Sequence, residues 1–122
     1  MGEIKFSYLR AGSFTPKLFA TFSRTGNIFL NKHLVLEIDT RANPYCFLAK
    51  NANDPNDPAF YLIPTQEEDP KAFTFRKVNG DRYGRIRMPS DMSKKIKVTY
   101  KCKAVKNTNP DGTIYYKLTR II

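Results

Sequence analysis

Residues 83–105, YGRIRMPSDMSKKIKVTYKCKAV, decide how the remainder of the chain is read. From Lys95 the residues alternate: Ile96, Val98, Tyr100, Cys102 and Ala104 fall on one side, and Lys95, Lys97, Thr99, Lys101 and Lys103 on the other. That period predicts a half-buried strand starting at Lys95, with lysines on its wet face. Residues on one face of a strand recur about every 7 Å, so such a ladder can follow a phosphate backbone. The plainer reading is an edge strand kept soluble by its lysines.

The charge of the whole chain bears on that choice. Among 122 residues there are 21 Lys plus Arg against 11 Asp plus Glu, a net charge of +10. Residues 1–61 carry 7 basic and 5 acidic side chains, and residues 62–122 carry 14 and 6, so the positive field belongs to the second half. A clustered basic excess makes a polyanion, nucleic acid first, the expected partner. No amphipathic basic helix or membrane-length apolar run is visible, and the stretch MGEIKFSYLRAG lacks the apolar core of a signal peptide. A soluble, cytoplasmic protein without membrane contact is the expectation. The length suits one domain with a real core. Cys46 and Cys102 are too far apart for a zinc cluster and read as small buried hydrophobes.

Strand patterns dominate the rest. Residues 4–9, 18–22, 28–30, 45–49, 59–64, 72–78 and 113–118 all suit short strands, separated by turn-rich segments such as NANDPNDP (51–58) and KNTNPDG (106–112). Asn31 is a good N-cap for a helix of about two turns carrying Leu34, Leu36 and Ile38. The acidic cluster TQEEDPK (65–71) reads as a connection between halves, and Asn79, Gly80 and Asp81 as a turn.

Those halves resemble each other. A shift of 58 residues places Gly26, Ile28, Leu30, Leu34 and Ile38 on Gly84, Ile86, Met88, Met92 and Ile96. After a slip in the loop, Phe60, Tyr61 and Ile63 fall on Tyr115, Tyr116 and Leu118, and Cys46 and Cys102 occupy nearly equivalent strands. The order turn, Gly, strand, short helix, strand, loop, strand occurs twice. The expected fold is therefore mainly β: a small β-barrel or sandwich from two related halves with one short helix each. The halves span about 18–64 and 72–122 within a single domain 1–122, with an extra N-terminal strand at 4–9.

Gly84, Arg85, Ile86, Arg87, Met88 and Pro89, followed by Met92 and Ile96, resemble the Gly-Arg-Ile-x-Ile-Pro strand-to-helix turn of AbrB-like, MazE-like and MraZ-like swapped-hairpin proteins. The resemblance implies that two halves interleave into one β-barrel, as a homodimer or as two copies in one chain covering about 18–122. It also implies transcription regulation or antitoxin activity through DNA binding, with Arg85 near the DNA. Asn27 and Asn31 stand where that family has Arg and Pro, which places the first half outside its DNA-contact pattern.

Catalytic chemistry finds little support. His33 is the one histidine, Asp54 and Asp57 sit beside Pro55 and Pro58 in a turn, and neither GxxxxGK nor GxGxxG occurs. No enzyme activity, metal or cofactor is expected. Arg76, Lys77, Arg82, Arg85, Arg87, Lys94, Lys95, Lys97, Lys101 and Lys103 are the expected nucleic-acid contacts. Arginine forks suit bidentate contacts to phosphate or guanine and lysines suit backbone positioning. Arg85 is expected to point outward beside Arg87, the alternative being an ion pair with Asp81 or Asp91. Duplex DNA is preferred over RNA. A single-stranded binder is the alternative if Tyr83 or Tyr116 is exposed for stacking, and an acidic protein partner is a third reading.

Overall fold

The computed structural model describes residues 2–7, 17–78 and 82–121. Its elements are β1 (Phe19–Phe22), β2 (Asn27–Leu30), α1 (Lys32–Ile38), β3 (Tyr45–Ala49), β4 (Phe60–Thr65), β5 (Phe73–Thr74), β6 (Arg76–Val78), β7 (Arg82–Arg87), α2 (Ser90–Ser93), β8 (Tyr100–Thr108) and β9 (Ile114–Arg120). Neither helix is long and apolar enough to cross a membrane.

All pairings are antiparallel, in the order β5-β3-β4-β9-β8-β1-β2-β7-β6. The two end strands, β5 and β6, are separated in sequence only by Phe75. Phe75 is buried and its N–H donates to the Pro44 carbonyl at 2.9 Å, so one bent segment runs from one end of the ladder to the other. The sheet is thereby a nearly closed barrel, and closure removes the edges at which strands otherwise aggregate.

Strand alternation fills the interior. Ala20, Phe22, Ile28, Leu30, Cys46, Leu62, Ile86, Met88, Cys102, Ala104, Tyr116 and Leu118 are buried while most of their strand neighbours are not. Each large apolar side chain contributes roughly 1.5–3 kcal/mol through burial. Burial also pushes the Tyr116 hydroxyl up to about 12 and the Cys102 thiol to about 11, and raises Cys46. Both thiols stay protonated and pack as small apolar groups.

The pairing is symmetric between the halves. β1 pairs with β2 as β6 pairs with β7; β3 pairs with β4 as β8 pairs with β9; β1 meets β8 as β5 meets β3. Two further ladders join the halves to each other, β2 with β7 and β4 with β9. In the first, Ile28 stands opposite Ile86, its own mate in the 58-residue shift. In the hairpins the shift is 56: Cys46 opposite Pro64 and Leu48 opposite Leu62 match Cys102 opposite Arg120 and Ala104 opposite Leu118. The expected mates Phe60/Tyr115 and Tyr61/Tyr116 are therefore one residue out of register. A one-residue slip exchanges the faces of a strand. Tyr116 lies inside the barrel with Phe60 as its mate, and Tyr61 lies outside with Lys117 as its mate.

Local chemistry explains where the helices stop. Asn31 caps α1, its Oδ1 accepting from Leu34 N–H at 3.0 Å, and its Nδ2 donates to the Lys17 carbonyl at 2.8 Å, which ties the helix to the start of β1. Asp39 ends α1 in the left-handed conformation, its N–H donating to the Val35 carbonyl. α2 follows Pro89 with no side-chain cap and lasts one turn. Leu34 and Ile38 are buried, whereas their mates Met92 and Ile96 only pack partly against the core.

Four expectations are corrected. The strand expected from Lys95 begins at Tyr100, because Lys95 N–H donates to Met92 O and Ile96 N–H to Ser93 O, keeping the chain coiled. Lys97 thus leaves the β8 ladder, and Val98 is 65% exposed. Residues 4–7 form no strand and expose Ile4 and Phe6, while residues 8–9 lie outside the described residues. Leu36 points to solvent, since spacing of two does not hold one helix face. The strand expected over 72–78 is split at Phe75, which turns into the core. The turn expected at 79–81 lies outside the described residues.

Candidate nucleic-acid interface

With Ile86 and Met88 inside, Arg85 and Arg87 occupy the outer face of β7, as expected. Register then fixes what stands beside them. Arg76 on β6 is opposite Arg85, Arg85 opposite Phe29 on β2, Phe29 opposite Thr21 on β1, and Thr21 opposite Lys101 on β8. Four inter-strand steps of about 4.8 Å make this row roughly 19 Å long, measured around the curved sheet. Arg87 lies beside it opposite Asn27, and Lys103 lies opposite Phe19. Five cations from non-adjacent parts of the sequence thus share one outer surface.

The arginines are braced by the first half. Arg85 Nη1 donates to Asn27 Oδ1 at 3.2 Å and Arg87 Nη1 to the Thr25 carbonyl at 3.1 Å. Gly26, at φ +94°, leaves room for the Arg87 guanidinium: a Cβ there would stand 3.3 Å from Arg87 Cζ. The turn glycine thus serves both the backbone and the neighbouring strand. Asn27, the departure from the family pattern, is the acceptor that orients Arg85. Each bond uses one donor of a five-donor fork and leaves others for a ligand.

Among the described residues no strand contains Asp or Glu. One ion pair among the described residues, Lys106 with Glu37 at 3.4 Å, lies away from this row. Arg76 facing Arg85 is a like-charge pair, an arrangement that disfavours the isolated sheet and favours an anion laid across it.

Other expected contacts sit elsewhere. Lys77 is exposed, with Nζ 5.5 Å from the Tyr83 ring centroid, and Arg82 opens β7 opposite Val78. Lys94, Lys95 and Lys97 follow α2 rather than the β8 ladder. Tyr116 is buried, with its hydroxyl donating to the Glu37 carbonyl at 3.5 Å. Tyr83 is half-buried and lines a hollow shared with Val35 and Leu36 of α1. Burial removes Tyr116 as a stacking platform, whereas Tyr83 stays partly exposed two residues from Arg85 on the same face of β7. Sequence reasoning missed Arg120, whose guanidinium lies 4.6 Å from the Tyr100 ring centroid, and the Lys101 ammonium 4.3 Å above Phe19. Only strand register brings those partners together.

In the loops, carboxylates do turn chemistry. Asp54 accepts from Asn56 N–H, while Asp57 accepts from the Tyr61 hydroxyl and Ala59 N–H. The Tyr61 hydroxyl first, and then the Ala59 amide, hold Asp57 down at about 2. Comparison with family models, curated proteins and solved structures finds no match.

Proposed function

We propose that this protein binds duplex DNA non-covalently through the outer face of β6, β7, β2, β1 and β8, in the manner of a regulator. The observation that carries the reading is the row Arg76, Arg85, Lys101 with Arg87 and Lys103 beside it, on strands devoid of carboxylates. Two related halves in one chain, each with the order of strands and helix that the AbrB-like, MazE-like and MraZ-like resemblance implies, support the same reading. Arg85 and Arg87 supply oriented forks for phosphate or guanine, and Lys101 and Lys103, two residues apart on β8, supply backbone attraction.

Binding of a random-sequence duplex, followed by fluorescence anisotropy across a salt series, tests it. If all five cations meet phosphates, the log–log salt slope is about −4.5. A flat slope, or no binding at low salt, would discard the DNA reading and favour an acidic protein partner. Tighter binding to single strands than to duplex would favour the single-stranded alternative.

A further inference from the structure

Two hollows at the end of α1, of about 530 and 630 Å³, share Thr40, Arg41 and Tyr83 as a common wall. The first takes in Lys32, Val35 and Leu36 of α1, and the second reaches Pro44 and Phe75, where the barrel closes. Both volumes fall within the ~300–1,000 Å³ range of small-molecule sites. In the 58-residue shift the mate of Tyr83 is Thr25, and α2 has four residues where α1 has seven. The hollows therefore belong to one half and not to the repeated framework.

Thr40 is 3% exposed, and its hydroxyl makes no hydrogen bond among the described residues. A buried hydroxyl without a partner is costly, so its place in the wall of both hollows points to a ligand that supplies one. The charges around it define that ligand. Arg41 and Lys32 are exposed and make no ion pair among the described residues. Lys77 adds a third cation, its Nζ 5.5 Å from the Tyr83 ring centroid. Beside them stands Asp39, whose Oδ1 accepts from Ala42 N–H at 3.3 Å and whose Oδ2 accepts no hydrogen bond among the described residues. A planar guanidinium with a hydroxyl suits a phosphate group, and a carboxylate oxygen suits a sugar hydroxyl. A half-exposed ring bordered by Val35 and Leu36 suits the face of a base.

We infer that the hollow between α1 and β7 binds a nucleoside monophosphate, with its phosphate on Arg41 and the Thr40 hydroxyl, its sugar beside Asp39 and its base against Tyr83. The site adjoins the outer strand face and does not rest on DNA binding there.

Titration calorimetry of the full chain with AMP, UMP, adenosine and inorganic phosphate tests it. The expected result is one AMP or UMP per chain, since stacking on a tyrosine tolerates either base, with adenosine and phosphate each bound at least about tenfold more weakly. Arg41→Gln and Tyr83→Ala should each weaken AMP about tenfold and Thr40→Val about threefold, while Lys117→Ala on β9 leaves it unchanged. Circular dichroism confirms that each variant is folded; if Tyr83→Ala is not, Arg41→Gln at its exposed position decides the matter. No binding of either nucleotide, phosphate or adenosine bound as tightly as AMP, full affinity in Thr40→Val, or equal losses in Arg41→Gln and Lys117→Ala would overturn the assignment.

Discussion

The first half of the barrel and the second pair their strands alike, yet they treat the segment between the strands differently. In the first, Asn31 caps a seven-residue helix and Leu34 and Ile38 are buried beneath it. In the second, Pro89 opens a single turn, Met92 and Ile96 stay partly exposed, and three lysines follow. Strand register, which symmetry fixes, is common to both; helix length and charge, which it does not fix, diverge. The difference teaches that the first half supplies stability and bracing groups, while the second supplies the cations.

Core truncation should break the comparison most visibly. Leu34→Ala is expected to cost about 3 kcal/mol in urea unfolding, and Met92→Ala about 1 kcal/mol, because only the first leaves a fully enclosed cavity. Equal losses would show the two helices to be equally anchored. On the binding side, Arg85→Lys should lose about 1–3 kcal/mol of duplex affinity if the contact is to a base, whereas Lys103→Arg changes little. The Asn27 acceptor sharpens that test: Asn27→Ala leaves the charge intact but unbraces Arg85, so a smaller affinity loss in the same direction is expected from anisotropy.

Asn31→Ala removes the cap of α1 and should cost about 1 kcal/mol of stability, with no counterpart at Pro89, which makes no side-chain cap. The smallest effect concerns the first hairpin loop. Asp57 is held at about 2 against an ordinary 3.8, so its stabilising contribution is complete above 3.8 and lost as pH falls toward 2. Asp57→Asn should flatten the stability profile over that window in thermal melts at graded pH. An unchanged profile would show that Tyr61 and Ala59 do not favour the charged carboxylate.

Much of this was legible in the residues. The boundaries of β3 and the capping role of Asn31 follow from local pattern, as does the outward direction of Arg85 and Arg87. The region after Met92 was misread, because Ile96 and Val98 alternate like a strand while the backbone there closes two further turn-like hydrogen bonds. The repeat mate of Tyr116 was misassigned for another reason: loop length hides a one-residue register difference, so that Phe60 rather than Tyr61 is its mate.

What the sequence determined by itself is the mainly β class, the two related halves and the excess of cations in the second, since these depend on side-chain period and composition. What only tertiary structure decided is which cations share a surface. Arg76, Arg85 and Lys101 became one row because β2 and β1, from the first half, lie between β7 and β8 of the second. Cross-strand neighbours are set by barrel closure and register, over separations that no local pattern encodes.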